Sequence, residues 1–553
     1  MKKTTFFLFS ICVSAYAMGA LESQNKMTSG DVVWSVTSNW QNADVDLPPN
    51  TNASYISNEW NSKSIIVDGD YTVGKIGSNS DTGYSNNGEF YYKMIGTGND
   101  GADGSMSIDV AQITNAAIDV GLNGRSNSKI YNQNVIFEGG TINVFDSLNS
   151  ARSVDIFVNC YTPDDFTENH LKALTFTSEN TLNVGHNIRF GSTNGGLVTR
   201  TMQMNLLGTT NVFSVNEDSS IAYKTVAFVG GNGNSQYTNI EFNIGTKGEE
   251  NTKFTSGSVT QFAATDVNVK GDMNVYGNYS ISSATGKPSN FNIESGANVL
   301  MTSANSADEI KFSATHANVN IAGNFTIEHS GSKAMADILA TNSTLTVKEG
   351  GNFIVTSQTN SDTSFSMTNG STVIIEKGGY MSVKSQLRIY GDNTRIVIKQ
   401  ENGLRSGEYN SKWKLIMGDN YTNVNIDLYA NQDLYGISFW STATADANAK
   451  INFFISDDVT SITFDKLIAD GGALNEYRFI EISNFRNDIF FFKTKGTDLD
   501  LLTQFSADGY KDFYWEETTG GWYLNAIQVT EPATIASIFG ALALALAIYR
   551  RRK

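Results

Sequence analysis

Neighbouring carboxylates are the residues of this chain whose spacing best suits acid–base chemistry. The carboxylate pairs are Asp457-Asp458, Asp498 with Asp500, and Glu516-Glu517. Cleavage of a polysaccharide needs acidic side chains that converge with Lys, Arg or His in one groove. Adjacent residues of a strand point to opposite faces, so only Asp498 and Asp500 are placed to share a site. We interpret that pair as solvated turn residues, and we predict no catalytic residue in the chain.

Histidine is too sparse to predict a metal site. The four histidines are His170, His186, His316 and His329. No two of them have the spacing of metal ligands, and no His-Glu-x-x-His motif occurs. His316 begins one sequence repeat and His329 ends it, so we interpret both as surface or turn residues.

The two cysteines predict no intrachain disulfide. Cys12 lies in a segment that we expect to be removed, which leaves Cys160 as a buried or idle thiol. Residues 99–104 match only part of a calcium loop, and the glycine-rich segment 229–233 lacks the Lys and Ser/Thr of a phosphate loop. We interpret both segments as turns and predict neither a metal nor a cofactor.

The composition predicts an acidic but sparsely charged surface. The formal net charge is −17 and charged residues make up 17% of the chain, against roughly 25% in a typical soluble protein. Asn, Ser, Thr and Gly must therefore supply much of the polar surface. Such a surface repels nucleic acid and anionic lipid, so we predict no nucleic-acid partner. It suits a hydrated extracellular layer, and simple solubility explains it equally well.

A repeated pattern of apolar-x-apolar followed by glycine predicts the elements that carry these residues. Its central positions are Val269, Ile293, Ile321, Val347 and Ile375, which are 24, 28, 26 and 28 residues apart. Alternation with period two indicates short strands with one buried face. A unit of this length cannot bury that face alone, so the units must stack. We predict a right-handed parallel β-helix over residues 65–400, with aligned asparagines in internal ladders; a set of β-sandwich domains is the alternative.

Tryptophan placement predicts caps at both ends of the repeats. All seven tryptophans lie outside residues 65–400, and a bulky indole suits a cap over an exposed core. We predict an N-terminal cap at 21–64 and a smaller C-terminal β region at 401–529. The segments from Trp34 to Gly74 and from Trp515 to Ala526 resemble the opening and the last strand of autotransporter-like β-helix proteins. That resemblance implies an adhesin-like or matrix role.

The N-terminus has the three parts of a secretory signal peptide. Lys2 and Lys3 are basic, residues 6–13 (FFLFSICV) are apolar, and Ala15-Tyr16-Ala17 forms a small-x-small cleavage site. The apolar run is too short to span a bilayer. We therefore predict a leader at 1–20 that is removed by signal peptidase.

The C-terminal segment 530–553 has a different three-part pattern. Glu531 and Pro532 precede an apolar stretch of 17 residues, 533–549, and the basic cluster Arg550, Arg551, Arg552 follows. A stretch of about 17–25 apolar residues predicts a transmembrane helix, with its cations in the cytoplasm.

This C-terminal pattern resembles the PEP-CTERM sorting signal of Gram-negative bacteria, which joins a Pro-Glu-Pro box to a short helix and a basic cluster. Glu531 and Pro532 match the second and third box positions, while Thr530 stands at the first. The resemblance implies transient anchoring in the inner membrane, processing by an exosortase-like enzyme, and delivery to the cell surface, outer membrane or extracellular matrix. A permanent tail anchor is the alternative.

Together these patterns predict an exported, noncatalytic β-helix that acts as a surface adhesin or structural matrix component, with extracellular polysaccharide as a partner. A polysaccharide lyase or glycoside hydrolase on the same scaffold is the alternative. An autotransporter passenger is disfavoured by the helical tail.

Overall fold

A computed structural model describes the protein in segments that cover most of the chain after residue 200. The described residues are 24–25, 32–34, 40–41, 63–73, 76–77, 88–93, 105–109, 116–121, 133–147, 149, 153–159, 173–191, 201–230, 239–249, 252–283, 287–302, 312–329, 335–357, 363–384, 386–406, 414–417, 421–439, 449–466, 478–494, 502–529 and 532–551. The predicted leader at 1–20 lies outside them, as do Cys160, His170, Asp498 and Asp500.

The chain winds as a parallel β-solenoid with three strands in most turns. In one turn, Thr265–Val269 lies in sheet A, Asp272–Val275 in sheet B and Tyr279–Ser282 in sheet C; Ser289–Ile293 then returns to sheet A and pairs in parallel with Thr265–Val269. Each strand is too short to bury its own apolar face, and stacking of successive turns solves this.

The three sheets run the length of the solenoid. Sheet A contains Val32–Val33, Lys63–Ile66, Gly88–Lys93, Gln133–Glu138, Ala173–Phe176, Thr201–Leu206, Asn239–Ile244, Thr265–Val269, Ser289–Ile293, Ala317–Ile321, Thr344–Val347, Thr372–Ile375, Thr394–Ile398, Val424–Leu428, Ala449–Ile455, Arg478–Ser483 and Phe505–Ala507. Sheet B contains Asp70–Val73, Ser105–Asp109, Thr141–Phe145, Thr181–Val184, Thr209–Val215, Lys253–Ser256, Asp272–Val275, Asn298–Thr302, Asn324–His329, Asn352–Ser357, Tyr380–Val383 and Leu404–Ser406, and Ile221–Tyr223 pairs antiparallel with Thr209–Val215.

Sheet C and the remaining elements complete the fold. Sheet C contains Ile76–Gly77, Ala116–Gly121, Val154–Asn159, Ile188–Gly191, Val226–Val229, Val259–Phe262, Tyr279–Ser282, Phe312–Thr315, Met335–Leu339, Thr363–Met367, Gln386–Ile389, Lys414–Met417, Gln432–Phe439, Ile462–Lys466, Phe490–Thr494, Gly521–Gln528 and Tyr510–Thr518. Gln24–Asn25 pairs antiparallel with Trp40–Gln41, Leu502–Gln504 is a 3₁₀ turn, and helix α1 is Pro532–Arg551.

The predicted repeat register is confirmed. Val269, Ile293, Ile321, Val347 and Ile375 are successive partners along sheet A, and each is at most 1% exposed. The stacked turns therefore form one ladder rather than a set of separate sandwiches.

Aromatic rings contact one another through the interior of the middle turns. The ring centroid of Phe325 lies 5.9 Å from that of Phe291, 5.2 Å from that of Phe312 and 5.3 Å from that of Phe353; the first two pairs are edge-to-face and the third is tilted. All four side chains are fully buried. Edge-to-face aromatic pairs add directional contacts to the apolar burial that the alternating pattern provides.

Glycine after the sheet A strands of the middle turns has a steric cause. The backbone of Gly350 lies at φ +76° and that of Gly378 at φ +82°, a region that L side chains rarely adopt. A Cβ atom on Gly351 would lie 2.1 Å from the carbonyl oxygen of Ile321 in the preceding turn. The repeat therefore needs glycine where the chain turns from sheet A to sheet B and passes close to the turn below.

The N-terminal end of the solenoid begins before the predicted repeats. Val32–Val33 pairs in parallel with Ile65 and Ile66 of the next turn. Trp34 is fully buried and its ring stacks on Tyr71 at 5.5 Å. Most of the predicted cap at 21–64 lies outside the described residues.

The boundary predicted at 400/401 does not interrupt the parallel pairing. Among the described residues sheet B ends at Leu404–Ser406, but sheet A continues with Val424–Leu428, Ala449–Ile455 and Arg478–Ser483, and sheet C continues with Gln432–Phe439, Ile462–Lys466 and Phe490–Thr494. Antiparallel pairing in the described part of 401–529 involves the terminal hairpin, Tyr510–Thr518 with Gly521–Gln528. Its second strand adds antiparallel to Phe490–Thr494 and covers the end of sheet C.

The C-terminal segment is helical, but the predicted membrane span is not supported. Helix α1 starts at Pro532, one residue before the predicted apolar stretch, and ends at Arg551. No helix among the described residues has the length and apolar character needed to cross a membrane. The apolar stretch, 533–549, is at the lower limit of about 17–25 residues for a membrane span. The helix continues directly from it into Arg550 and Arg551.

Candidate binding surface

Asparagine side chains form a continuous hydrogen-bonded column on the outside of sheet A. The column lies at the strand position between two buried apolar residues, so alternation turns it away from the core. Its hydrogen bonds run from Asn205 Nδ2 to Thr175 Oγ1 (2.9 Å), Asn243 Nδ2 to Asn205 Oδ1 (2.8 Å), Asn268 Nδ2 to Asn243 Oδ1 (3.3 Å), Asn292 Nδ2 to Asn268 Oδ1 (2.8 Å) and Asn320 Nδ2 to Asn292 Oδ1 (2.9 Å).

The sequence correctly predicts ladders of aligned asparagines, but the prediction that they are internal is wrong. Asn268, Asn292 and Asn320 are partly exposed, while the apolar neighbours of each are buried. The inward-facing positions of each strand are occupied by the apolar residues, because burying an amide costs free energy. The asparagines therefore occupy the outward-facing positions. The ladder therefore belongs to the surface.

A second polar column runs beside the first in the same three turns. Asn290 Nδ2 donates to Asp266 Oδ1 at 2.5 Å, and Asn318 Nδ2 donates to Asn290 Oδ1 at 2.9 Å. These residues precede the first column by two positions, so both columns face outwards. We call the resulting surface the amide array, and its members are Asp266, Asn268, Asn290, Asn292, Asn318 and Asn320.

The amide array is regular because the ladder below it is regular. Its three turns are stacked about 4.8 Å apart, and its two columns are about 6.6 Å apart, as expected for neighbouring strands and for alternate residues in one strand. Thr344 and Thr346 continue the two columns in the next turn with hydroxyl groups. In the preceding turn Glu241 Oε1 accepts from Asn268 Nδ2 at 2.9 Å.

The hydrogen bonds along the columns leave part of each amide available. A primary amide has two N–H donors and an oxygen with two lone pairs. Asn290 and Asn292 each give one N–H to the turn before and accept one N–H from the turn after. Each therefore keeps one donor and one lone pair for a ligand, in a rotamer that the ladder already fixes.

A second asparagine ladder on sheet B has a different geometry. Its bonds are Asn298 Nδ2 to Asp272 Oδ1 (2.9 Å), Asn324 Nδ2 to Asn298 Oδ1 (2.8 Å) and Asn352 Nδ2 to Asn324 Oδ1 (3.0 Å). This ladder is a single column, because the outward positions beside it are Leu300, Thr326 and Ile354. Sheet B therefore lacks the two-column pattern in these turns.

An aromatic cluster lies on the outside of sheet B, where Ile221–Tyr223 folds back on Thr209–Val215. The rings of Tyr223 and Tyr276 stack with centroids 4.0 Å apart, and Phe213 meets Tyr223 edge-on at 6.0 Å. Burial, together with the hydrogen bond to Tyr276, raises the pKa of Tyr223 to about 12. At the tip of this hairpin Val215 is 64% exposed and Ile221 is 49% exposed.

The described carboxylate pairs do not form an acid–base site. Asp457 has an 89% exposed side chain, and its Oδ1 accepts from Asn484 Nδ2 and Arg486 Nη1. Asp458 follows it in the same exposed turn. Glu516 and Glu517 are exposed on the terminal hairpin, and Glu516 Oε2 accepts from Asn525 Nδ2 at 2.7 Å. Through these hydrogen bonds Asp457 stabilises the exposed turn and Glu516 stabilises the terminal hairpin.

His316 and His329, which begin and end one sequence repeat, behave differently. His316 occupies a turn with φ +51°, as predicted. His329 is fully buried, so its interpretation as a surface or turn residue is wrong. Its Nε2 lies 3.0 Å from Oδ2 of the fully buried Asp337, and Asp337 Oδ1 accepts from the Phe312 backbone N–H at 2.8 Å.

The alternating pattern itself could have placed His329 inside. Phe325 and Ile327 point inwards, and His329 is the next residue of the same parity. Burial raises the pKa of Asp337, and the hydrogen bond to His329 opposes that shift. Nδ1 of His329 has no hydrogen-bond partner among the described residues. The pair is sealed inside the solenoid, so it does not form a surface site.

The predicted sorting residues lie at the extreme C-terminus, far along the chain from the amide array. Pro532 begins helix α1, and Arg550 and Arg551 are exposed in its last turn. Glu531 and Arg552 lie outside the described residues. Within the described segments no group of three or more His, Cys, Asp or Glu side chains is arranged to bind a metal ion.

Comparisons with known proteins find no relative: no family model matches the chain, and neither the curated proteins nor the solved structures include a significant match.

Proposed function

We propose that the protein is an exported, noncatalytic surface protein whose solenoid holds a polar binding face away from the cell, as an adhesin or a structural component of an extracellular matrix. The observation that carries this proposal is the amide array, a hydrogen-bonded and partly exposed surface on a rigid ladder. A surface whose rotamers are already fixed loses little entropy when it binds.

The shape of the fold supports a role in presentation. From Lys63–Ile66 to Phe505–Ala507, sheet A stacks sixteen strands in parallel, which corresponds to an axial length of about 70 Å at about 4.8 Å per turn. Consecutive strands are bonded along the whole ladder, so the body acts as a stiff spacer. A net charge of −17 keeps such a body hydrated and repels anionic surfaces.

The two termini support export. The basic and apolar segments of residues 1–17 have the pattern of a secretory leader, and the C-terminal segment resembles a sorting signal. We include processing at both ends in the proposal, by signal peptidase and by an exosortase-like enzyme.

Protease treatment of intact cells, together with intact-mass measurement of the chain recovered from untreated cells, tests the location. We expect the protein to be digested without cell lysis, and its mass to lack residues 1–20 and part of the segment 530–553. A full-length chain that resists protease until the cells are lysed would contradict export.

Incubation of the purified protein with plant and mucin glycans tests its noncatalytic nature. We expect no new reducing or unsaturated ends. Their appearance would instead assign the protein to the polysaccharide lyases or glycoside hydrolases on this scaffold.

A further inference from the structure

We infer that the amide array binds an uncharged polysaccharide chain that lies parallel to the solenoid axis. This inference rests on the proposed function and specifies its ligand class. The array joins three consecutive turns through Asn290 and Asn292 of the central turn, so its polar groups extend along the axis rather than around a turn. A linear polymer matches that direction.

Hydrogen-bond chemistry selects hydroxyl groups as the ligand. Each central amide offers one N–H donor and one oxygen lone pair beyond those used in the ladder. A hydroxyl group both donates and accepts, so neighbouring hydroxyls of a sugar satisfy both groups of an amide. A carboxylate or sulfate only accepts and would leave the amide oxygens unsatisfied.

Charge excludes the acidic polymers. Five of the six array side chains are neutral amides and the sixth, Asp266, is a carboxylate. The nearest lysine along these strands, Lys270, is opposed by Glu294 at 3.9 Å. Because the whole chain carries −17, a polyanion meets repulsion at the array and no compensating cation.

The two-column pattern distinguishes this surface from the rest of the solenoid. A polysaccharide chain on the sheet B ladder would meet one column of amides beside Leu300 and Ile354. On sheet A it meets amides on both columns in two turns, which follow the turn of Asp266 and Asn268 and precede the turn of Thr344 and Thr346. Sheet B therefore provides a matched control, with the same side-chain type, the same ladder bonds and a different pattern.

Affinity electrophoresis of the full-length chain tests the inference. The probes are dextran, mannan and xylan as uncharged polymers, and polygalacturonate as an acidic one, each cast into a native gel. We expect at least one uncharged polymer to retard the protein and polygalacturonate to have no effect. The double variant Asn292→Ala/Asn318→Ala should weaken the binding at least tenfold, whereas the control Asn324→Ala/Asn352→Ala should leave it within twofold.

Several results would overturn the inference: no retardation by any uncharged polymer, equal retardation by polygalacturonate, or equal losses in the two double variants. The urea midpoint of each variant checks its folding. Should the first variant unfold, Asn292→Thr replaces it, because Thr346 already occupies the same column. If the array fails to bind while protease treatment still finds the protein outside the cell, the ligand class is wrong and export stands.

Discussion

The turns around Asn292 and the turns around Asp427 share one ladder, but they satisfy their outward side chains in different ways. In the first region, amides donate to amides from one turn to the next. In the second, Arg395 pairs with Asp427 at 2.5 Å, and Lys450 pairs with Glu481. The bonded amides are direct register partners. Each ion pair is diagonal instead, because Arg395 lies opposite Asn425 and Lys450 lies opposite Phe479. In both regions the bonds join outward side chains of neighbouring strands, so the side-chain types decide the chemistry of the outer face.

The difference has a functional meaning. An amide ladder is neutral, keeps donors and acceptors for a ligand, and is insensitive to salt. An ion-pair ladder consumes its charges internally and is screened by salt. We interpret the middle turns as the part of the solenoid that binds, and the C-terminal turns as the part that closes the fold.

The largest expected effect comes from the shared interior. Phe325→Ala removes a fully buried ring that contacts three others, and we expect it to lower the free energy of unfolding by about 3–5 kcal/mol. Phe454→Ala, on the outer face and 37% exposed, is the control and should cost less than about 1 kcal/mol. Urea unfolding followed by circular dichroism measures both. Equal losses would mean that the inner and outer faces are assigned wrongly.

A smaller and more local effect is expected at the C-terminal end. Trp515 of the terminal hairpin packs edge-on against Phe492, with centroids 5.1 Å apart. Trp515→Ala should remove about 2 kcal/mol of local stability, since the indole is only partly buried. Hydrogen exchange should then accelerate in residues 478–529 and stay unchanged around Asn292. Faster exchange throughout the solenoid would show that the hairpin does not act as a local cap.

Residue patterns predict the middle turns better than either end, and the reason is physical. Between Val269 and Ile375 most inward positions are apolar and a glycine follows each sheet A strand, so period and register can be read directly. Beyond Leu404 no glycine follows directly after the sheet A strands Val424–Leu428, Ala449–Ile455 and Arg478–Ser483, and apolar runs such as 489–492 hide the alternation, so the continuing ladder looks like a separate domain. The asparagines lie on the surface because they alternate with the buried apolar residues along each strand. Their position in this alternation decides their exposure more than their residue type does.

The buried pair of His329 and Asp337 could not be predicted as a pair. Eight residues separate them. His329 ends a strand of sheet B and Asp337 lies in a strand of sheet C, and no sequence pattern links positions in two different sheets. Ion pairs such as Arg395 with Asp427, which are 32 residues apart, could not be predicted either.

The pH dependence of stability should be specific to the middle turns, where Asp337 lies. Burial raises the pKa of Asp337 in the folded protein, so the folded state binds a proton more tightly than the unfolded state does. Its contribution to stability is therefore full below the unfolded pKa of about 3.9 and is lost as pH rises through the folded pKa. As the pH rises from the unfolded to the folded pKa of Asp337, the free energy of unfolding of the wild-type protein should fall relative to that of Asp337→Asn.

Urea unfolding of both proteins at a series of pH values measures this difference. The difference should change in that direction across the interval, because burial favours the neutral form of the Asp337 carboxyl. At each pH the free energy of unfolding of Asp337→Asn is subtracted from that of the wild type, which removes the contribution of the other carboxylates. A difference that is constant with pH, or that grows in favour of the wild type as pH rises, would contradict the assigned direction.

The smallest expected effect separates the two kinds of ladder by their response to salt. Arg395→Gln removes an ion pair whose guanidinium is 53% exposed, so its cost should be at most about 1 kcal/mol and should fall as salt rises to about 1 M. Asn292→Ala removes neutral hydrogen bonds on both sides of one turn, so a similar cost should stay constant with salt. Urea midpoints of the two variants and the wild type, at low and high salt, measure the contrast. If both costs fall together, charge rather than amide bonding holds the middle turns, and the division between a binding region and a closing region fails.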